Sequence, residues 1–295
     1  MMKLNRRDFI KQGGALSTGL AFSSTFISGF ATACEPNEKT MDTIGIQLYT
    51  LRDVLPKDPK GVLEKLASFG YKQIESYAGA SGIFWGMTNK EFKKYMDDLG
   101  MTLVSSHCNI GDGFEQLAAE AGEIGVKYLI CPWIGPQDTL DDFRRIADDF
   151  NAKGEICRKN GLRFAYHNHA YSFEMLEGKL PQVVMIDNTN PELVDFQLDL
   201  YWVVTAGQDP REWLRKYKSR VRLCHVKDRQ KGATKPEATC TLGTGSIDYS
   251  KILATAESNG MEYYIVEQEH YENTTPLDCA RDNITYLQQL KITNN

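Results

Sequence analysis

The sequence predicts an α/β chain folded as a single-domain (β/α)₈ TIM barrel, and three observations predict it. Short β-rich runs alternate with longer helical patterns eight times between residues 44 and 290, the pattern of a parallel sheet whose strands are joined by helices. Glycine follows the helical run at Gly70, Gly100, Gly125, Gly161 and Gly260, where a left-handed cap returns the chain to the sheet. The chain has 295 residues, and barrels of ~250 residues commonly form one domain. Eight units in series without a long insertion favour a closed barrel over an open sheet.

The elements follow in order. Strand one is 44–49, and its helix, 59–69, stops at Gly70. Strand two is 72–77, with a helix over 89–99. Strand three is 102–107, with a helix over 113–124. Strand four is 127–132, and a long helix covers 140–160. Strand five is 162–169, followed by a short helix over 181–187. Strand six is 193–199, with a helix over 210–217. Strand seven is 221–226, then a glycine-bearing loop and a helix over 249–259. Strand eight is 262–267, and the last helix covers 276–290. No glycine-rich phosphate fingerprint follows strand one. Gly243-x-Gly245 sits in a late loop without a suitably placed lysine, which argues against nucleotide binding.

Residues 43–295 form the barrel, and the segment before them reads as a targeting signal. Asn5-Arg6-Arg7-Asp8-Phe9-Ile10-Lys11 resembles a twin-arginine export signal, and a mildly apolar stretch follows from Gly13 to Ala33. It is too polar and interrupted for a membrane span. Ala31-Thr32-Ala33-Cys34 resembles a lipobox, with Ala31 departing from the usual Leu. The expectation is a signal peptide over 1–33, lipidation at Cys34, and a linker over 34–42. The protein is then periplasmic or a membrane-anchored lipoprotein, touching membrane only through that lipid. The twin-arginine route carries folded proteins, often with a cofactor loaded. The remaining cysteines are scattered and suit buried free thiols rather than a disulfide or metal site. Formal net charge is −5 with no basic run, which excludes an ordinary nucleic-acid partner.

Active sites of such barrels lie at the C-terminal ends of the strands. There the sequence offers Glu75, His107, His167-Asn168-His169, Asp199, His225-Val226-Lys227 and Glu267-Gln268-Glu269. Four of the five histidines sit at strand ends. A single histidine there is more often a satisfied structural residue than a ligand; the cluster is different. Residues two apart on a strand face the same way, so His167 and His169 both point into the mouth, as do His225 and Lys227. A mixed nitrogen and oxygen set suits Mn²⁺, Zn²⁺, Co²⁺ or Fe²⁺ better than Mg²⁺ or Ca²⁺. The competing explanation is a buried polar network without metal.

Gln197-x-Asp199-x-Tyr201-Trp202-Val203 and Ala206-Gly207-x-Asp209-Pro210 resemble the strand-six signature of the xylose isomerase-like sugar isomerase/epimerase family. Tyr166-His167-Asn168-His169, His225-Val226-Lys227-Asp228, Leu242-Gly243-x-Gly245-x-x-Asp248 and Val266-Glu267-Gln268 match its other blocks in order. The resemblance covers Ile44 to Leu290. It implies one divalent metal ion, Mn²⁺ first, held by Asp199, His225 and Glu267. The family's strand-five glutamate is missing. His167 stands at that position, so the fourth ligand is His167 or His169, or the site is more open, with Glu174 too far past the strand. Some relatives of the fold are endonucleases, which export and acidity argue against here.

A divalent ion in that place supplies Lewis acidity for enediolate formation on a keto sugar. His169 is the first candidate base and Glu75 the second, and Lys227 is placed to donate to the developing oxyanion. Gln47, His107 and Trp202 are the expected substrate-binding residues. Tyr49, Tyr201 and Trp133 are equally explicable as packing. Sugar phosphates are scarce outside the cytoplasm, so the expected substrate is an unphosphorylated carbohydrate. The expected activity is sugar isomerase/epimerase. Two alternatives stay open: a lyase eliminating from 3-keto-glycosides, and a non-catalytic sugar-binding lipoprotein.

Overall fold

The computed structural model describes residue 41 and residues 43–292. The expected signal peptide, Cys34 and nearly all of the linker lie outside the described residues. Eight parallel strands close in sequence order into a barrel. They are β1 (Gly45–Gln47), β2 (Gln73–Tyr77), β3 (Thr102–His107), β4 (Tyr128–Cys131), β5 (Arg163–His167), β6 (Val194–Asp199), β7 (Val221–Val226) and β8 (Tyr263–Val266). Outside them run α1 (Pro59–Phe69), α2 (Asn89–Asp98), α3 (Phe114–Glu123), α4 (Leu140–Lys159), α5 (Pro181–Asn188), α6 (Leu200–Thr205), α7 (Pro210–Lys216), α8 (Tyr249–Ser258) and α9 (Pro276–Gln289).

Local chemistry starts and stops these helices. Thr88 with Glu91, and Thr139 with Asp142, form capping boxes at the heads of α2 and α4, satisfying N–H groups that the first turn leaves unpaired. Pro59, Pro181, Pro210 and Pro276 occupy first helical positions, where their missing N–H costs nothing. The five glycines singled out in the sequence all take positive φ, from +66° to +106°. Each helix buries its apolar stripe on the barrel wall; α4 does so with Leu140, Phe143, Ala147, Phe150 and Cys157.

The interior is layered. Toward the N-terminal end, Asp195 is fully buried and paired with Arg163 at 2.5 Å, and Tyr128 Oη donates to it at 3.0 Å. Above it Ile130, Ala165 and Leu223 form a small apolar plug. At the C-terminal end the polar residues of six strands meet. Gly45 lets β1 approach: a Cβ there would run into the Ile265 side chain on β8.

Three expectations are corrected. Strand one ends at Gln47, because its side-chain Oε1 accepts from Tyr49 N at 3.0 Å and starts a 3₁₀ turn over Leu48–Leu51. Strand five ends at His167, and His169 leads into a second 3₁₀ turn, Ala170–Phe173. An additional helix, α6, starts directly on strand six, since Asp199 caps it by accepting from Trp202 N at 3.1 Å. A two-residue antiparallel ladder, Asp228–Arg229 with Thr239–Cys240, closes the loop after β7.

Candidate metal centre and substrate cleft

Glu75, fully buried on β2, is the hub of the polar layer. Its Oε1 accepts from Gln47 Nε2 at 2.8 Å and His225 Nε2 at 2.6 Å. Its Oε2 accepts from Ser105 Oγ and Gln197 Nε2, both at 2.6 Å. His107 Nε2 lies 3.1 Å from Oε1. Burial opposes the charge, yet His107 and His225 outweigh it and hold this carboxyl well below the usual range. With both oxygens saturated by donors, Glu75 has no lone pair to take a substrate proton. The base role expected for it gives way to an anchoring one. Gln47 is likewise fully buried, its amide committed to Glu75 and Tyr49, and it underlies the cleft rather than lining it.

Gln197, to which the sequence pattern assigns no role, sets the histidine tautomers. Its Nε2 donates to Glu75, so its Oε1 faces His107 Nε2 at 2.8 Å and His167 Nδ1 at 3.0 Å. An amide oxygen only accepts. His167 therefore carries its hydrogen on Nδ1, and its Nε2 keeps a lone pair 3.5 Å from Asp199 Oδ2. Burial, then His225 and His107, pushes the His167 pKa well down, so the ring is neutral.

Asp199 divides its oxygens. Oδ1 caps α6, whereas Oδ2 is buried without a hydrogen bond. It faces His167 Nε2, His225 Nδ1 at 3.8 Å and the Lys227 ammonium at 2.9 Å. His225 Nδ1 is also 2.9 Å from Glu267 Oε2. Burial lowers the His225 pKa, but Glu75 and Glu267 prevail and raise it to about 10. A proton thus sits on Nδ1 where a divalent ion would sit instead. Lys227 is fully buried, 2.5 Å from Glu267 Oε2 and 3.2 Å from Glu269 Oε1. Burial works against its charge; Asp199, Glu267 and Glu269 hold the pKa well above its ordinary value.

The donor set fits a divalent ion. Ligand atoms of Asp199, His225 and Glu267 all lie within 4.8 Å of one another, as do those of His107, His167 and His225. His107 Nε2 is already engaged by Gln197 and Glu75, which leaves Asp199, His225 and Glu267 as the mutually close set, with His167 Nε2 beside it, 3.5 Å from Asp199 Oδ2. Mixed imidazole and carboxylate donors suit a first-row transition ion. Such an ion has to share Asp199 and Glu267 with Lys227.

His169 stands above this point. Its ring lies 5.0 Å from that of His167, 4.6 Å from Trp133 and 5.4 Å from Trp202. The strand periodicity that suggested this placement ends at His167, and the following 3₁₀ turn brings the ring in. Its Nδ1 is buried without a hydrogen bond, and burial followed by Lys227 lowers its pKa to about 3. Trp202 Nε1 is also buried and unpaired. Glu174 is exposed, away from the cluster.

Over these groups opens a cleft of about 700 Å³, walled by Tyr49, Arg52, Tyr77, His107 and Trp133, with His167 and Glu267 at its floor. Asp228 holds the loop after β7. Buried, it accepts from the backbone N–H groups of Gly243 and Gly245, both at 2.9 Å, and Ile247 at 3.1 Å. The separate sequence blocks around Asp228 and Gly243-x-Gly245 are thus one unit.

Fold and site define a closed parallel barrel carrying a carboxylate–imidazole centre at its C-terminal mouth. The chain belongs to the xylose isomerase-like TIM barrel family, whose model matches residues 63–290. Two structures of sugar phosphate isomerase/epimerase from Parabacteroides distasonis ATCC 8503 resemble it at 27% identity. The better superposed has a TM-score of 0.75 and covers 86% of this chain and 100% of that one. The IOLI protein with a binding zinc atom shares the fold at TM-score 0.69 and 14% identity, covering 82% of this chain and 95% of its own. Among curated proteins, inosose dehydratase of Bacillus cereus (strain AH820) is 28% identical over 149 residues, 45% of this chain and 49% of that protein. The chain thus spans about half the length of the curated relatives it matches.

Proposed function

We propose that this protein is a divalent-metal-dependent sugar isomerase/epimerase that acts through an enediolate on an unphosphorylated sugar or keto-sugar. The observation that carries the reading is the convergence of Asp199, His225 and Glu267 beneath a cleft that the His169 ring helps to line. His167, Asp199, His225 and Glu267 would hold the ion, which supplies Lewis acidity to a carbonyl and its neighbouring hydroxyl. His169, neutral and on the cleft wall, takes the α-proton on its ring. Lys227 stays protonated among its carboxylates and donates toward the oxygen that gains charge. His107 confines the sugar ring, Trp202 backs the His169 ring from outside the cleft, and Glu75 with Gln197 fixes the tautomers on which ligation depends.

The wall chemistry supports a substrate without phosphate: among the described residues, Arg52 is the only lysine or arginine lining the cleft. A second reading, elimination from a keto-glycoside by the same proton abstraction, is favoured by relatives named inosose dehydratase. The protein is further read as a twin-arginine export substrate lipidated at Cys34, on the strength of Arg6-Arg7 and Ala31-Thr32-Ala33-Cys34. Elemental analysis of residues 41–295 tests the core of the proposal. Near-stoichiometric Mn, Zn, Co or Fe is expected in the wild type and is lost in Asp199→Ala and Glu267→Ala. A wild type that stays metal-free after incubation with these ions overturns the reading in favour of a polar network that binds sugar without turning it over.

A further inference from the structure

We propose that the cleft takes a two-ring carbohydrate, a glycoside, and that Trp133 is the platform for the second ring. This rests on the carbohydrate reading above and specifies its substrate class. Among the described residues, the large hydrophobics that stay exposed are Tyr49, Trp133 and Met175, at 41%, 55% and 67%. Two of the three, Tyr49 and Trp133, line this one cleft. Exposed hydrophobics scattered singly are ordinary, whereas two exposed aromatics gathered on one concave surface mark a ligand-binding groove.

The rings step outward from the metal ligands. His167 borders Asp199, His169 lies 5.0 Å from His167, and Trp133 lies 4.6 Å beyond His169. A first sugar ring whose carbonyl faces the ion lies level with His169, so Trp133 stands beside whatever is attached to it. The cleft, about 700 Å³, is well above what one pyranose ring fills and lies within the range that encloses larger ligands.

Trp133 is exposed but held. Ile134 N donates to Tyr171 Oη at 3.3 Å, and Gln137 Nε2 donates to the carbonyls of Ile134 and Gly135 at 2.8 and 3.2 Å. The indole also packs edge-on against Tyr171, with centroids 4.8 Å apart. A platform fixed before binding loses little freedom when a ring stacks on it. On the facing wall Tyr49 packs on Tyr77 at 5.2 Å, with the Arg52 guanidinium 4.8 Å over its ring.

The test is calorimetric titration of metal-loaded protein with methyl β-glucoside, phenyl β-glucoside and cellobiose. Stacking of the second ring is expected to make phenyl β-glucoside and cellobiose bind about three- to tenfold more tightly than the methyl glucoside. In Trp133→Ala that ratio is expected to fall to about one, and Trp133→Phe to retain most of it. A ratio near one in the wild type, equal loss for all three probes in Trp133→Ala, or no binding of the two-ring probes overturns the proposal. Asp199→Ala, assayed in parallel for metal and affinity, reports separately on the underlying reading. Loss of metal with the ratio intact leaves the Trp133 platform standing, whereas a metal-free wild type with an intact ratio removes only the catalytic claim.

Discussion

At the scale of single residues, protonation states decide what the site does. His169 is neutral across the physiological range because burial and then Lys227 depress its pKa to about 3. It therefore remains a proton acceptor far below the ordinary histidine value. With metal kept saturating, turnover is expected to show no ionisation near pH 6.5 attributable to this ring, and His169→Asn to lower kcat by about 10²–10⁴-fold. An acid limb near pH 6.5 that vanishes in His169→Asn would refute the depressed pKa, and an unchanged kcat in that variant would remove His169 from the role. The sequence made the strand-end residues visible as a set. It did not separate Glu75, closed off by its donors, from His169, left with a bare nitrogen, because both read simply as polar residues near a strand end.

At the scale of elements, the late loop shows how a motif gains meaning from its partner. Gly243-x-Gly245 is legible in the sequence only as glycine-bearing and unsuited to nucleotides. In the fold its N–H groups close on Asp228, and a Cβ on Gly245 would collide with that carboxylate and the Arg229 carbonyl. Asp228→Ala leaves these buried donors unpaired and is expected to cost about 3 kcal/mol in chemical denaturation. Gly245→Ala is expected to destabilise by about 1–3 kcal/mol through overpacking. An unchanged denaturation midpoint in either variant would show that the loop is not held this way. Of the helices, the long amphipathic ones were legible because their periodicity and caps are local. The six-residue α6 was not, since its start depends on Asp199 turning one oxygen back to cap it.

For the whole molecule, an ion held by His167, Asp199, His225 and Glu267 would tie together the ends of four strands, β5 to β8. Binding an ion only to the native state adds RT ln(1 + [L]/Kd), about 2.7 kcal/mol at a hundredfold excess over Kd. For a domain of this size that raises Tm by about 5–10 °C. Calorimetry of metal-loaded against chelator-treated protein checks this, and equal Tm values would refute a native-state metal site. The pH sign for the metal-free form is definite. His225, raised to about 10, stabilises fully below its unfolded pKa of ~6.5, and that contribution is lost as pH rises through 10.

The sequence by itself determined the barrel, the order of its strands, the C-terminal address of the site and the identity of nearly every polar group there. These follow from periodicity, glycine caps and strand ends, which are local properties of the chain. Tertiary structure alone decided which of those groups are spent on one another. The Glu75–His225 contact crosses the barrel between residues 150 apart in sequence. Gln197 reaches from β6 to both His107 and His167, and Lys227 settles among Asp199, Glu267 and Glu269. Hydrogen bonds and ion pairs in a buried layer depend on distances across the closed barrel, and no local pattern encodes those distances.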